Sequence, residues 1–162
     1  MSRRFRTIYR DEALECATWG GLFVQRWLGG DARAEHVEAM LALHTRFVEE
    51  APRGSTMSLS HIARPDLRPP DERMRAAMRR HMQMVERSLA AATTVIGVSG
   101  FASAMARSIL SGLLLLSRPK CPHAVVGTTR EGFAFLLRHG SLAGVSADEL
   151  DAAYHRELLD AP

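Results

Sequence analysis

Seven histidines, His36, His44, His61, His81, His123, His139 and His155, are the side chains here best suited to bind a metal or move a proton. A structural zinc site needs four ligands, usually delivered as closely spaced pairs. Only Cys121 and His123 come that close in this sequence. His36 and His44 roughly share a helix face, but no carboxylate–histidine motif accompanies them. His81 falls on an apolar stripe, where a hydrogen-bonded core histidine is commoner than a ligand. The spacing therefore predicts no metal site, and no motif asks for a cofactor.

For nucleophilic catalysis Ser99 is the best-placed residue, in Val98-Ser99-Gly100-Phe101 between an apolar run and a helical pattern. A nucleophile elbow needs glycines two before and two after the serine. Gly97 meets the first requirement, and Phe101 breaks the second. A serine that caps the following helix explains the position as well. A hydrolase pairing Ser99 with His61 or His123 is accordingly the third of three functional readings. The same turn could expose amide groups to an anion at the helix N-terminus, with Arg107 further along that helix. Neither GxxxxGK[ST] nor GxGxxG is present, so this is no phosphate loop. Arg107 stands among Ala, Met, Ile and Leu residues, where it either snorkels to solvent or pairs with an acid such as Asp66.

The largest charge cluster is Arg73, Arg75, Arg79, Arg80 and Arg87, with Arg64 and Arg68 beside it. Asp66, Asp71, Glu72 and Glu86 dilute it. No aromatic platform is interleaved with the charges, so no nucleic acid is expected as a partner. A solvated helix face comes first, and an acidic protein partner second.

The elements that must position these residues follow from periodicity. Residues 7–10, 14–19 and 22–28 carry aromatic and β-branched residues in short runs broken at Gly20-Gly21 and Gly29-Gly30, which predicts two or three antiparallel strands. Asp31 can cap a helix over 32–50 whose inner face is Val37, Met40, Leu41, His44, Phe47 and Val48. Residues 55–63 alternate, with Met57, Leu59 and His61 pointing one way and Thr56, Ser58 and Ser60 the other. Met74, Met78, His81, Val85 and Leu89 make the inner stripe of the next helix. Residues 93–98 lack polar alternation, as a strand covered on both faces would; a helix over 101–116 follows, and 123–127 repeats the buried-strand pattern. Thr128 or Thr129 can cap a last core helix over 130–139, which Gly140 stops. Ser146-Ala147-Asp148-Glu149 is a capping box that opens an amphipathic tail helix with Leu150, Tyr154 and Leu158 on one side.

The expected fold class is α/β: a single domain over residues 1–140 with a mixed sheet of about five strands, antiparallel at first and then parallel with crossover helices, plus a helical tail over 141–162. Hydrophobic residues at 46% and charged residues at 24% suit a folded globular chain of 162 residues. The net charge is only +3, and Lys120 is the single lysine. The basic N-terminus leads into no apolar signal core. The most apolar stretch, 109–116, is about half the length needed to span a bilayer. A cytoplasmic protein with no membrane association is expected, with Cys16 and Cys121 as free thiols.

A pair of strands, a helix and three strand–helix units over residues 8–139 resembles the STAS domains of bacterial anti-sigma-factor antagonists. Members of that family carry a phosphorylatable serine in an Asp-Ser-Ser/Thr-Gly-type motif after the third strand. The matching stretch here, residues 60–71, holds no Asp-Ser pair. The resemblance thus implies a regulatory docking role without chemistry, through loops at the strand C-terminal ends: Arg64, Asp66, Arg68, Ser99, Gly100, Thr128 and Thr129. A small-molecule or anion carrier, anchored by the Ser99-Gly100 amides and Arg107, is the second reading. The apolar face of the 147–159 helix must be covered by its own domain or by a second copy, so a homodimer is one of two expectations.

Overall fold

The chain starts by folding back on itself twice. In the computed structural model, which describes residues 4–29, 33–64, 71–97 and 119–160, strand β1 (Arg6–Arg10) runs antiparallel to β2 (Leu14–Trp19), and β2 antiparallel to β3 (Leu22–Trp27). Asp11 makes the first reversal: its Oδ1 accepts the backbone N–H groups of Ala13 and Leu14, both at 2.8 Å, the local hydrogen bonding that suits Asp to turns. The second reversal is Gly20-Gly21, where Gly20 takes a φ of +53° that a side chain would resist.

From β3 onward every neighbour is parallel. Helix α1 (Ala34–Glu49) leads to β4 (Thr56–Ile62), helix α2 (Glu72–Val85) to β5 (Leu89–Ile96), and β6 (His123–Val126) closes the sheet in the order β1-β2-β3-β4-β5-β6. Then come α3 (Thr129–His139) and α4 (Ala147–Tyr154), the latter running on into a π-helical turn, His155–Leu159. The mixed sheet has six strands where about five are expected. Thr128 caps α3 and Ser146 caps α4, each by a side chain that accepts the N–H three residues on while a glutamate answers in return.

Each sheet face has its own apolar layer. Phe23, Trp27, Val37, Met40 and Val85 lie on the side of α1 and α2. Trp19, Leu22, Val24, Met57, Leu59 and Val95 meet Phe133, Leu136, Leu150, Tyr154 and Leu158 on the side of α3 and α4. The apolar face of residues 147–159 is therefore covered within the chain. Phe5 adds its ring against Trp19 at 5.0 Å and Tyr154 at 5.8 Å, and its N–H donates to Glu157 Oε2 at 2.8 Å.

Several local expectations shift. The strand expected at 93–98 begins four residues earlier, so Leu89 belongs to β5 and not to the α2 stripe. Alternation in β4 does not expose its polar side: Thr56 and Ser58 are buried under α1 and α2, because helices cover both faces. β6 is only half-buried along its length, as an edge strand paired on one side. Asp31 and the 101–116 helix lie outside the described residues. Among the described residues no helix is long and apolar enough to cross a membrane.

Leu158, 2% exposed, is the last fully buried side chain on the α3–α4 side. Leu158→Ala should cost about 3 kcal/mol in a urea titration, the usual range for a buried leucine that leaves a cavity. Met84→Ala, at a side chain 61% exposed, should change stability by less than about 0.5 kcal/mol. Equal effects would mean that the tail is not part of the core.

Candidate functional site

Hairpin register puts Glu15 opposite Arg26, and parallel register puts Arg26 opposite His61. All three point to the α3–α4 side, since they alternate with Leu14, Trp27 and Ile62 on the other face. A row of polar groups thus crosses three strands beneath the tail. Each is nearly out of solvent, at 1%, 7% and 6% exposure. Burial on this scale demands partners. Arg26 Nε faces Glu15 Oε2 at 3.4 Å, Thr7 Oγ1 donates to Glu15 Oε1 at 3.1 Å, and Arg26 Nη1 donates to the Leu158 carbonyl.

Tyr154, fully buried, completes the row. Its hydroxyl lies 2.6 Å from His61 Nδ1, with the Arg26 guanidinium nearby. His61 Nδ1 is the acceptor that the structure shows for the phenol proton, so the hydroxyl donates to it. The opposite arrangement would strand a buried hydroxyl proton. His61 is accordingly neutral with its proton on Nε2. Burial, helped by the nearby Arg26 and His155, pushes its pKa down to about 4, and burial raises that of Tyr154.

Beyond His61 the C-terminal ends of β4, β5 and β6 open into a cleft of about 1050 Å³. Its floor is His61, Ala63, Gly97 and Gly127, and its walls are the starts of α3 and α4 with the first π-helical residue. Gly97 matters because a Cβ there would sit 3.0 Å from His61 Nε2; its absence leaves that N–H open to the cleft. On the far wall Thr129 Oγ1 donates to Asp151 Oδ1 at 2.5 Å, and His155 Nε2 lies 3.4 Å from the same hydroxyl and 3.7 Å from the same carboxylate oxygen. Arg130 reaches across from α3 to Asp148 on α4 at 2.6 Å, a hydrogen bond that holds the Asp148 carboxyl below its ordinary pKa. Glu131 is occupied by the N–H groups of Gly127 and Thr128.

Thr128 and Thr129 stand at the cleft, the first as cap and the second as a buried donor to Asp151. Arg64 is exposed just after β4. Asp66, Arg68, Ser99, Gly100 and Arg107 lie outside the described residues. Glu15, Arg26, Tyr154 and Asp151 were not singled out by spacing. The signal for the first two was present: they sit at mirror positions about Gly20-Gly21, each a charge on the apolar phase of its strand. Among the described residues no group of three or more His, Cys, Asp or Glu is arranged to hold a metal ion, and both cysteines are buried free thiols.

A second histidine contact lies far from the cleft, between α1 and α2. His44 Nδ1 and His81 Nε2 are 2.9 Å apart, with His44 stacked on Phe23 at 4.6 Å. Burial lowers their pKa values to about 3 and about 4, the neighbouring His81 adding to the effect on His44. His123, with Nε2 3.2 Å from Thr94 Oγ1, is likewise lowered to about 4. These three and His61 stay neutral when folded but take a proton near pH 6.5 when unfolded. Their contribution to stability is full above pH 6.5 and is lost as the pH falls towards 4, at up to about 1.4 kcal/mol per pH unit for each histidine. The urea midpoint should thus drop steeply between pH 6.5 and 4.5, and less steeply in His81→Gln. A flat profile over that range would show the imidazoles to be solvated.

In comparisons with known proteins no family model matches the chain, and neither does any curated protein or solved structure.

Proposed function

We propose that this chain is a non-enzymatic binding module of STAS-like type, which docks a regulatory protein partner in the cleft at the C-terminal ends of β4, β5 and β6. The observation that carries the reading is the cleft's position. In parallel α/β sheets the strand C-terminal ends are where ligands settle, because successive loops diverge there. The consecutive strand order from β3 to β6, with α1 joining β3 to β4 and α2 joining β4 to β5, supports the STAS resemblance. The one buried hydroxyl on the wall, Thr129, is spent on Asp151, which suits a scaffold better than a nucleophile. Among the described lining residues three carboxylates, Glu131, Asp148 and Asp151, outnumber one guanidinium, Arg130. A partner segment with basic or hydroxyl-bearing side chains fits that balance.

Ala134 lies on the exposed outer turn of α3 and lines the cleft. Ala134→Trp should fill the space with little effect on thermal stability. A partner captured from lysate by the wild-type chain should be lost with this variant and kept with Met84→Ala, which is remote from the cleft. Equal capture by all three would remove the cleft from the interaction.

The concavity itself favours a second reading, a small molecule held in the same place. The volume is that of an ordinary ligand site.

A further inference from the structure

His61 is an unusual floor for a docking cleft. It is 6% exposed, its Nδ1 is committed to Tyr154, and no hydrogen bond within the described residues uses its Nε2. The side chain is held from behind by Tyr154, whose hydrogen bond to Nδ1 fixes both the ring's position and its tautomer. A donor so fixed, left open by the missing Cβ of Gly97, costs little to order when an acceptor arrives.

The charges around it narrow what that acceptor can belong to. Arg26, directly behind Tyr154, disfavours a cation at the floor, as it does a proton on His61 itself. On the wall Arg130 is spent on Asp148, which leaves the Asp151 carboxylate to disfavour an anion. What remains is a neutral group that accepts from His61 and donates towards Asp151. A hydroxyl does both at once, and adjacent hydroxyls can do so from one molecule.

We infer that the floor of the cleft is a binding site for a small neutral polyhydroxylated molecule, such as a sugar or the ribose of a nucleoside, with His61 Nε2–H as donor and Asp151 as the group that receives its hydroxyl protons. The inference rests on the cleft being the working site and adds an occupant of defined chemistry.

The test is a titration of the full chain, uniformly labelled with ¹⁵N, followed through the histidine ring resonances. D-ribose, D-glucose and myo-inositol are the probes, with inorganic phosphate and methylammonium as charged counterparts. Free His61 should show the Nε2–H tautomer. Its ring signals should shift saturably with at least one polyol at millimolar concentration, and with neither charged probe. Gly97→Ala, which presses a methyl group on Nε2, should weaken the effect by at least about tenfold, equivalent to about 1.4 kcal/mol. If that variant misfolds, Ala134→Trp supplies the same comparison from the opposite wall. An Nδ1–H tautomer, silence with all three polyols, or a response to phosphate or methylammonium instead would overturn the inference. Silence with the polyols while Ala134→Trp still abolishes partner capture would sink the ligand and leave the docking module standing. Failure of both would remove the cleft from function altogether.

Discussion

The row Glu15–Arg26–His61, closed from above by Tyr154, is the constraint on which the rest of this molecule turns. A carboxylate and a guanidinium placed on the apolar phase of adjacent strands are costly to desolvate, and a buried ion pair rarely gains much net stability over an apolar pair of the same shape. Here the pair's value is geometric. Arg26 has donors left after facing Glu15, and it places one on the Leu158 carbonyl. The tail is thereby fixed in one register on the sheet. The Tyr154 hydroxyl on that tail donates to His61 Nδ1, which gives the histidine its tautomer. Packing on this side, from Trp19 to Leu158, would hold a helix against the sheet but would tolerate a slide along it; the polar row does not.

The site inherits its character from that arrangement. His61 is at the end of a strand and at the end of the row, so it is both buried and facing the one concave region at the strand termini. Across from it, the capping box of α4 sets the phase of its helix, placing Asp151 and His155 one turn apart on the side that faces Thr129. The change to π-helical geometry falls at His155 itself. Such insertions re-aim the side chains around them and are frequent at functional positions.

Much of this was legible in the sequence, for identifiable reasons. The hairpin at Gly20-Gly21, the cap at Thr128 or Thr129, the capping box at Ser146, the stop at Gly140 and the apolar phase of α1 are local, and local chemistry decides them. The α/β class followed from alternating periods. What was not legible required knowledge of what lies overhead. The polar half of β4 reads as solvent-facing until α1 and α2 are known to cover it. Leu89 fits the phase of α2, yet the strand claims it, since helix and strand periods agree at that one position. General argument points to the strand C-terminal ends, but the walls of the cleft there depend on α4 packing beside α3, which periodicity alone does not give. Glu15 and Arg26 have no local motif to single them out.

The span of the polar row also bears on how the molecule is made. Phe5 bonds to Glu157 across 152 positions, and Arg26 bonds to Leu158 across 132. During synthesis the first hairpin leaves the ribosome long before either partner exists. Until then Glu15 and Arg26 belong to a sheet that has no cover over them. Every strand can pair beforehand, yet the charged row can be sealed only when residues 154–158 arrive. Contacts this distant in sequence slow folding, because the loop must close before the contact rewards it. The nascent sheet is therefore held open on one face, with its most polar interior groups still wet, until residues 154–158 have been made.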